Sequence, residues 1–271
     1  MRHDQTLTHF GLLRPPFDKD IDAGKLWMNP SRTSAVQSMV NAVQRKQHVL
    51  VRGEPGVGKS CVARAMRAAL PDTEYRVVYV ANVTVGRRDF YRQVSLALGL
   101  PPKGTMAAVF EAIQTDIRSQ WTEHRVHPVL VIDEAHLLPD ATLSHLHVLA
   151  NFDMDHKPLL SLVLVGLPEL LDRLRLGVNR SLLTRIHTLV DLHSTTPEDT
   201  AAYVRHRLEV AGSSRDVFGS DALTALHELA AGVPRLLDTL AERSLDAAAD
   251  SNLTLVGRAE VRRAWNTTPY A

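Results

Sequence analysis

His48-Val-Leu-Val-Arg-Gly-Glu-Pro-Gly-Val-Gly-Lys59-Ser60 runs from a short apolar stretch into a turn with glycines at positions 53, 56 and 58. An Ala-rich run, Cys61 to Leu70, follows and is stopped by Pro71. The pattern reads as a buried strand, a flexible loop and a helix. Glycines at this spacing let the backbone aim successive N–H groups at one point. The start of the following helix adds its partial positive charge at the same point. Lys59 then reaches the β- and γ-phosphates of a nucleotide, and the Ser60 hydroxyl ligates Mg²⁺. The expected nucleotide-binding set is Gly53, Glu54, Pro55, Gly56, Val57, Gly58, Lys59, Ser60 and Cys61, joined by Arg235 further along the chain, with ATP and Mg²⁺ as cofactors. Cys61 itself reads as a small buried filler.

Outward from this loop, strands and helices alternate. Strands are expected at Tyr75–Ala81, Pro128–Asp133, Leu159–Val165 and Thr188–Leu192. Helices are expected from the Asn29-Pro30-Ser31 opening to about Lys46, and at Asp89–Leu98, Thr105–Glu123, Pro139–Ala150 and Pro168–Leu176. That alternation predicts an α/β doubly wound parallel sheet. Beyond Pro197 the strand signal stops, and Pro197–Ala211, Ser220–Ala230, Pro234–Asp250 and Val256–Asn266 read as helices. The expected domains are an N-terminal extended segment (1–30), an ATPase domain (31–195) and a small helical lid (196–271).

Val129-Leu-Val-Ile-Asp-Glu-Ala-His136 carries the second constellation. A carboxylate at the end of a buried strand is costly without a partner, and Asp133 facing the Mg²⁺ supplies one. Glu134 then stands where it can polarise an attacking water as general base. Asp-Glu-Ala-His also spells a helicase signature, but such helicases carry a second sheet domain where this sequence reads as helices alone. His136 is accordingly a structural or coupling residue beside the site. Charge developing on a γ-phosphate calls for an arginine, in cis or from a neighbouring subunit. Arg185 is the first candidate and Arg180 a nearby competitor; Arg235 opens a lid helix after the Ala231-Gly-Val-Pro turn. Histidines such as His124, His127, His145 and His147 lack metal-ligand spacing and read as scattered surface residues.

With a formal net charge of +1, composition neither demands nor excludes a nucleic-acid partner. One cysteine rules out an internal disulfide framework and fits a reducing compartment. No apolar run reaches membrane-spanning length and no signal peptide opens the sequence, so a cytoplasmic location without an integral membrane segment is expected.

Taken in order, these residues resemble the AAA+ ATPases. Within them, His9-Phe-Gly-Leu12, Pro16-Phe17, Val165-Gly-Leu-Pro-Glu-Leu170, Tyr203-Val-Arg-His-Arg-Leu-Glu-Val-Ala-Gly212 and Gly232-Val-Pro-Arg235 resemble the ExeA-type (general secretion pathway protein A) family. The resemblance implies that Lys59 and Ser60 are Walker A, Asp133 and Glu134 Walker B, Arg185 an arginine finger and Arg235 a sensor 2 arginine. At the sensor 1 region the family often reads Gly-Gln-Pro-Glu-Leu, whereas this sequence has Leu167. A leucine cannot orient water, so slow hydrolysis or another polar group is expected. ExeA-type proteins carry a membrane span and a cell-wall-binding region after the ATPase; the sequence ends at Ala271 with neither. That makes it resemble the transposon helper ATPases of the TniB and MuB-like group, which assemble on DNA with ATP and recruit a transposase. The leading expectation is therefore an oligomeric, ATP-dependent regulator of DNA transposition. Its partners would be further copies of itself, double-stranded DNA and a transposase, with Arg87, Arg88 and Arg92 touching DNA phosphates. The alternative is a secretion or envelope-assembly ATPase; a third reading is a signalling switch in which nucleotide controls oligomerisation.

Overall fold

The computed structural model describes residues 2–270, so Met1 and Ala271, the outer ends of the expected terminal segments, lie outside the described residues. Two compact units emerge. One comprises Pro30–Pro55 with Lys59–Leu192, and the other Met1–Asn29, Gly56–Gly58 and His193–Ala271.

In chain order the helices and strands are α1 (Arg2–Phe10), α2 (Pro30–Gln44), β1 (His48–Gly53), α3 (Lys59–Ala69), β2 (Tyr75–Val80), α4 (Arg87–Ala97) and α5 (Met106–His124). There follow β3 (His127–Ile132), α6 (Asp140–Leu143), α7 (Leu146–Leu149), β4 (Ser161–Gly166), α8 (Glu169–Arg175), α9 (Arg180–Leu183) and β5 (Ile186–Leu192). The chain closes with α10 (Pro197–Val210), α11 (Ser220–Ala230), α12 (Pro234–Asp250) and α13 (Arg258–Trp265).

The first unit is built on a five-stranded sheet in the order β2-β3-β4-β1-β5, with every pairing parallel. Central β3 and β4 are buried at every position, as continuous apolar runs with both faces covered should be. Edge strand β5 alternates between buried and accessible positions. Leu50, Ile132, Leu164, Phe90 and Ile113 belong to its core. Because β4 lies between β1 and β3, the loops leaving β1 and β3 stand about 10 Å apart at the carboxyl edge, two strand spacings. Ligands bind outside the carboxyl ends of such sheets.

Three expectations need correction. The 1–30 segment is not extended throughout: Arg2–Phe10 is helical. Phe10, Leu12 and Phe17 are buried in the core of the second unit, with Val204, Leu237 and Phe218. The Pro139–Ala150 helix is broken into two four-residue pieces. At the break His145 is held sideways, its Nδ1 2.8 Å from the Tyr91 hydroxyl on α4. The histidines are not all at the surface, since His48 and His127 are buried at the starts of β1 and β3.

Helix starts follow their caps. Thr105 Oγ1 accepts from Ala108 N at 3.2 Å to open α5. Thr196 Oγ1 accepts from Asp199 N at 3.1 Å to open α10, with Pro197 in the first turn.

Candidate nucleotide-binding site

The loop 53–60 leaves β1 and enters α3. Gly56 (φ 81°) and Gly58 (φ 102°) take left-handed backbone that a side chain resists. Gly53, expected to share that role, is instead the last residue of β1. At Gly56 a Cβ would lie 2.9 Å from Arg235 Cβ and 3.0 Å from Val233 Cγ1, so glycine is required there by space as well as by φ. The Arg235 N–H donates to Gly56 O at 3.3 Å, which sets the start of α12 against the turn.

Lys59 is buried, and its Nζ donates to Gly53 O at 2.7 Å and Glu54 O at 3.0 Å. Cys61, one residue past Ser60, is half-buried rather than the buried filler expected. The Ser60 hydroxyl donates to Asp133 Oδ2 at 3.3 Å, spanning the gap over β4. Two further donors hold Asp133: the Tyr79 hydroxyl at 2.7 Å on Oδ2 and the Glu134 N–H at 2.9 Å on Oδ1. Burial, and then the bond to Asp133, push the Tyr79 hydroxyl pKa up, so it stays a donor. Sequence reading missed Tyr79, which reaches Asp133 only because β2 pairs with β3 in a register that sets Tyr79 opposite Val131, two residues before Asp133.

Glu134 is exposed, and its backbone is left-handed with φ 51°. That turn sends its side chain outward while Asp133, one residue earlier, is buried. Its Oε2 lies 3.5 Å from Nδ1 of His136.

Arg185 sits apart from these groups. It immediately precedes β5, whose first residue pairs with His48 at the start of β1. The loop 53–60 leaves the other end of that strand, roughly 20 Å away at strand rise. An arginine side chain cannot span that distance, so a role in cis is excluded. Arg185 donates to Asp155 Oδ2 at 2.6 Å and Ser181 O at 3.0 Å. Arg180 is exposed on α9. Arg87, Arg88 and Arg92 are exposed at the start of α4, with Arg88 donating to Gly104 O at 3.0 Å.

Hydroxyl and carboxylate oxygens at Ser60 and Asp133 are hard donors of the kind Mg²⁺ takes, and the glycine turn with Lys59 suits a polyphosphate. Residues 41–174 match the AAA domain family. That stretch is just under half of the chain and holds the glycine loop and the Asp133–Glu134 strand end. Around it, the chain is similar to the General secretion pathway protein A of Aeromonas hydrophila, at 34% identity over 88% of this chain. It spans 44% of that relative's length. Among solved structures, Cdc6p of Pyrobaculum aerophilum superposes with a TM-score of 0.74 at 18% identity, over 92% of this chain and 69% of that one. The Aeropyrum pernix ORC1 protein, solved in complex with DNA, gives 0.69 at 18% identity, over 92% and 67%. The Thermotoga maritima RuvB Holliday junction branch migration motor gives 0.58 at 18% identity, over 93% and 73%. The sheet unit thus has the P-loop AAA+ fold, an α/β sheet flanked by helices. Among the described residues, no helix is long and apolar enough to cross a membrane.

Proposed function

We propose that this chain binds ATP with Mg²⁺ and hydrolyses it, in the service of a secretion or envelope-assembly system. The observation that carries the ATPase reading is Ser60 Oγ set 3.3 Å from Asp133 Oδ2 beside the lysine-bearing glycine turn. Bound Mg²⁺ would neutralise charge between the β- and γ-phosphates. Ser60 and Asp133 would hold the ion, Lys59 would turn from its backbone carbonyls to the phosphates, and Glu134 would take the proton of the attacking water. Arg235, packed on Gly56, would report nucleotide to α12. Arg185, too far to act within its own chain, would serve the site of a neighbouring copy, which makes a homo-oligomer part of the proposal.

The name of the Aeromonas hydrophila relative supports the secretion reading over the transposition regulator expected from sequence. Likeness to a DNA-bound protein at 18% identity speaks for the fold alone, and double-stranded DNA and a transposase find no counterpart in that relative's name. The test is nucleotide binding and turnover in two variants. Lys59→Ala should lose ATP binding, and Glu134→Gln should bind ATP yet stall turnover by about a hundredfold or more. Full affinity in the first would refute the cradle; undiminished turnover in the second would move the base elsewhere.

A further inference from the structure

We infer that His136 is a positioning residue for Glu134, a joint between that carboxylate and the segment that leaves β4. The inference rests on the reading of Glu134 as the base.

One ring nitrogen faces two partners. Nδ1 of His136 lies 3.5 Å from Glu134 Oε2 and 3.4 Å from the N–H of Leu167. A neutral imidazole nitrogen either donates or accepts. With its proton on Nδ1 the ring donates to Glu134; with Nδ1 bare it accepts from Leu167 N–H and leaves Glu134 free. Both separations sit at the long limit of a hydrogen bond, so a small shift of the segment after β4 decides which is made. The ring is the fixed member, since the His136 side chain is 8% exposed and that of Glu134 51%.

The surroundings hold the ring in place. Arg173 on α8 donates to the carbonyls of His136 and Leu138 and to the Asp140 carboxylate, clamping the turn. Gly166, the last residue of β4, faces the ring: a Cβ there would stand 3.2 Å from His136 N and 3.4 Å from Nδ1. The next residue, Leu167, offers only its N–H to this corner, so the imidazole is the polar side chain that the strand end itself lacks. A movement of the segment after β4 would in this way reach Glu134 through one ring.

Steady-state ATP turnover of the full chain with Mg²⁺ tests this, comparing His136→Leu and His136→Asn. The two replacements share a side-chain skeleton branched at Cγ, but only asparagine places a polar atom where Nδ1 stands. Leucine should lower kcat about tenfold or more with KM for ATP little changed, because misplacing a reacting group acts on the chemical step. Asparagine should recover most of that loss. Adding His136→Leu to Glu134→Gln should cost nothing further. Equal kcat in the two variants, or a loss in both that tracks a fall in Tm, would overturn the positioning role. If Glu134→Gln alone turned over ATP normally, the underlying reading would fail instead, and the two failures are distinguishable.

Discussion

Glu134 adopts a left-handed backbone that costs a non-glycine residue about 1 to 2 kcal/mol. The carboxylate next to it in sequence, Asp133, takes three hydrogen bonds from Ser60, Tyr79 and Glu134 itself. Two adjacent acids are thereby given opposite surroundings, one buried and saturated with donors, the other free to meet water. Both were legible as Asp-Glu at the end of an apolar strand. Tyr79 was not, because it is far from Asp133 in sequence and meets it only through the pairing of β2 with β3; nor was the Leu167 N–H that shares Nδ1 of His136, which comes from the end of another strand. Gly56 offers a prediction at the same scale. Gly56→Ala would place a methyl group 2.9 Å from Arg235 Cβ at φ 81°. Strain of 1 to 2 kcal/mol expressed in binding corresponds to a loss of about tenfold in ATP affinity. Calorimetric titration reads it, and unchanged affinity would mean that the turn and α12 can part at no cost.

At the level of elements, helix limits followed from caps and prolines, as at Thr105 and Thr196. Break points decided by neighbours did not: His145 reads as mid-helix until Tyr91 is brought beside it. The segment before α2 is the larger case. Its two prolines suggest an extended tail, yet Phe17 is buried, with its ring edge-on to Phe218 at 6.4 Å. Arg207 on α10 fixes the same stretch by donating to Pro16 O at 2.7 Å and Asp18 O at 2.5 Å. The segment is therefore a structural part of the helical unit. Phe17→Ala should destabilise that unit by about 3 to 5 kcal/mol, as a buried ring replaced by a cavity does. Denaturant unfolding followed by tryptophan fluorescence would show it, Trp27 and Trp265 both packing against that core; a loss under 1 kcal/mol would return the segment to the status of a tail.

For the molecule as a whole, acid should weaken the sheet unit through two buried histidines. Burial, reinforced by His187 and Arg185, pushes the His48 pKa down to about 4, and burial with Lys46 and His48 does the same to His127. Nδ1 of His127 is buried without a hydrogen-bond partner among the described residues. Above pH 6.5, the ordinary histidine value, folded and unfolded forms are both neutral and this contribution is intact. As pH falls from 6.5 to 4 the unfolded chain takes up protons that the folded chain refuses, and stability drops by up to roughly 3 kcal/mol per histidine. Asparagine at 48 can still accept from Leu162 N, as Nδ1 does, and glutamine at 127 can still reach Ser161. The His48→Asn, His127→Gln double variant should lose most of that slope in urea unfolding between pH 7.5 and 4.5, whereas an unchanged slope would assign acid sensitivity to other groups. The sequence by itself determined the alternating α/β pattern, the phosphate loop and the acidic strand end, because strand, turn and helix signals are local and lie within a few residues of one another. Only the tertiary structure decided which distant groups meet. Strand order puts β4 between the two halves of the site and Arg185 at the far edge of the sheet. Packing buries His48 and His127, and the close approach of β4 brings His136 between Glu134 and Leu167. Such meetings depend on the register and stacking of elements far apart in the chain, and no local pattern encodes them.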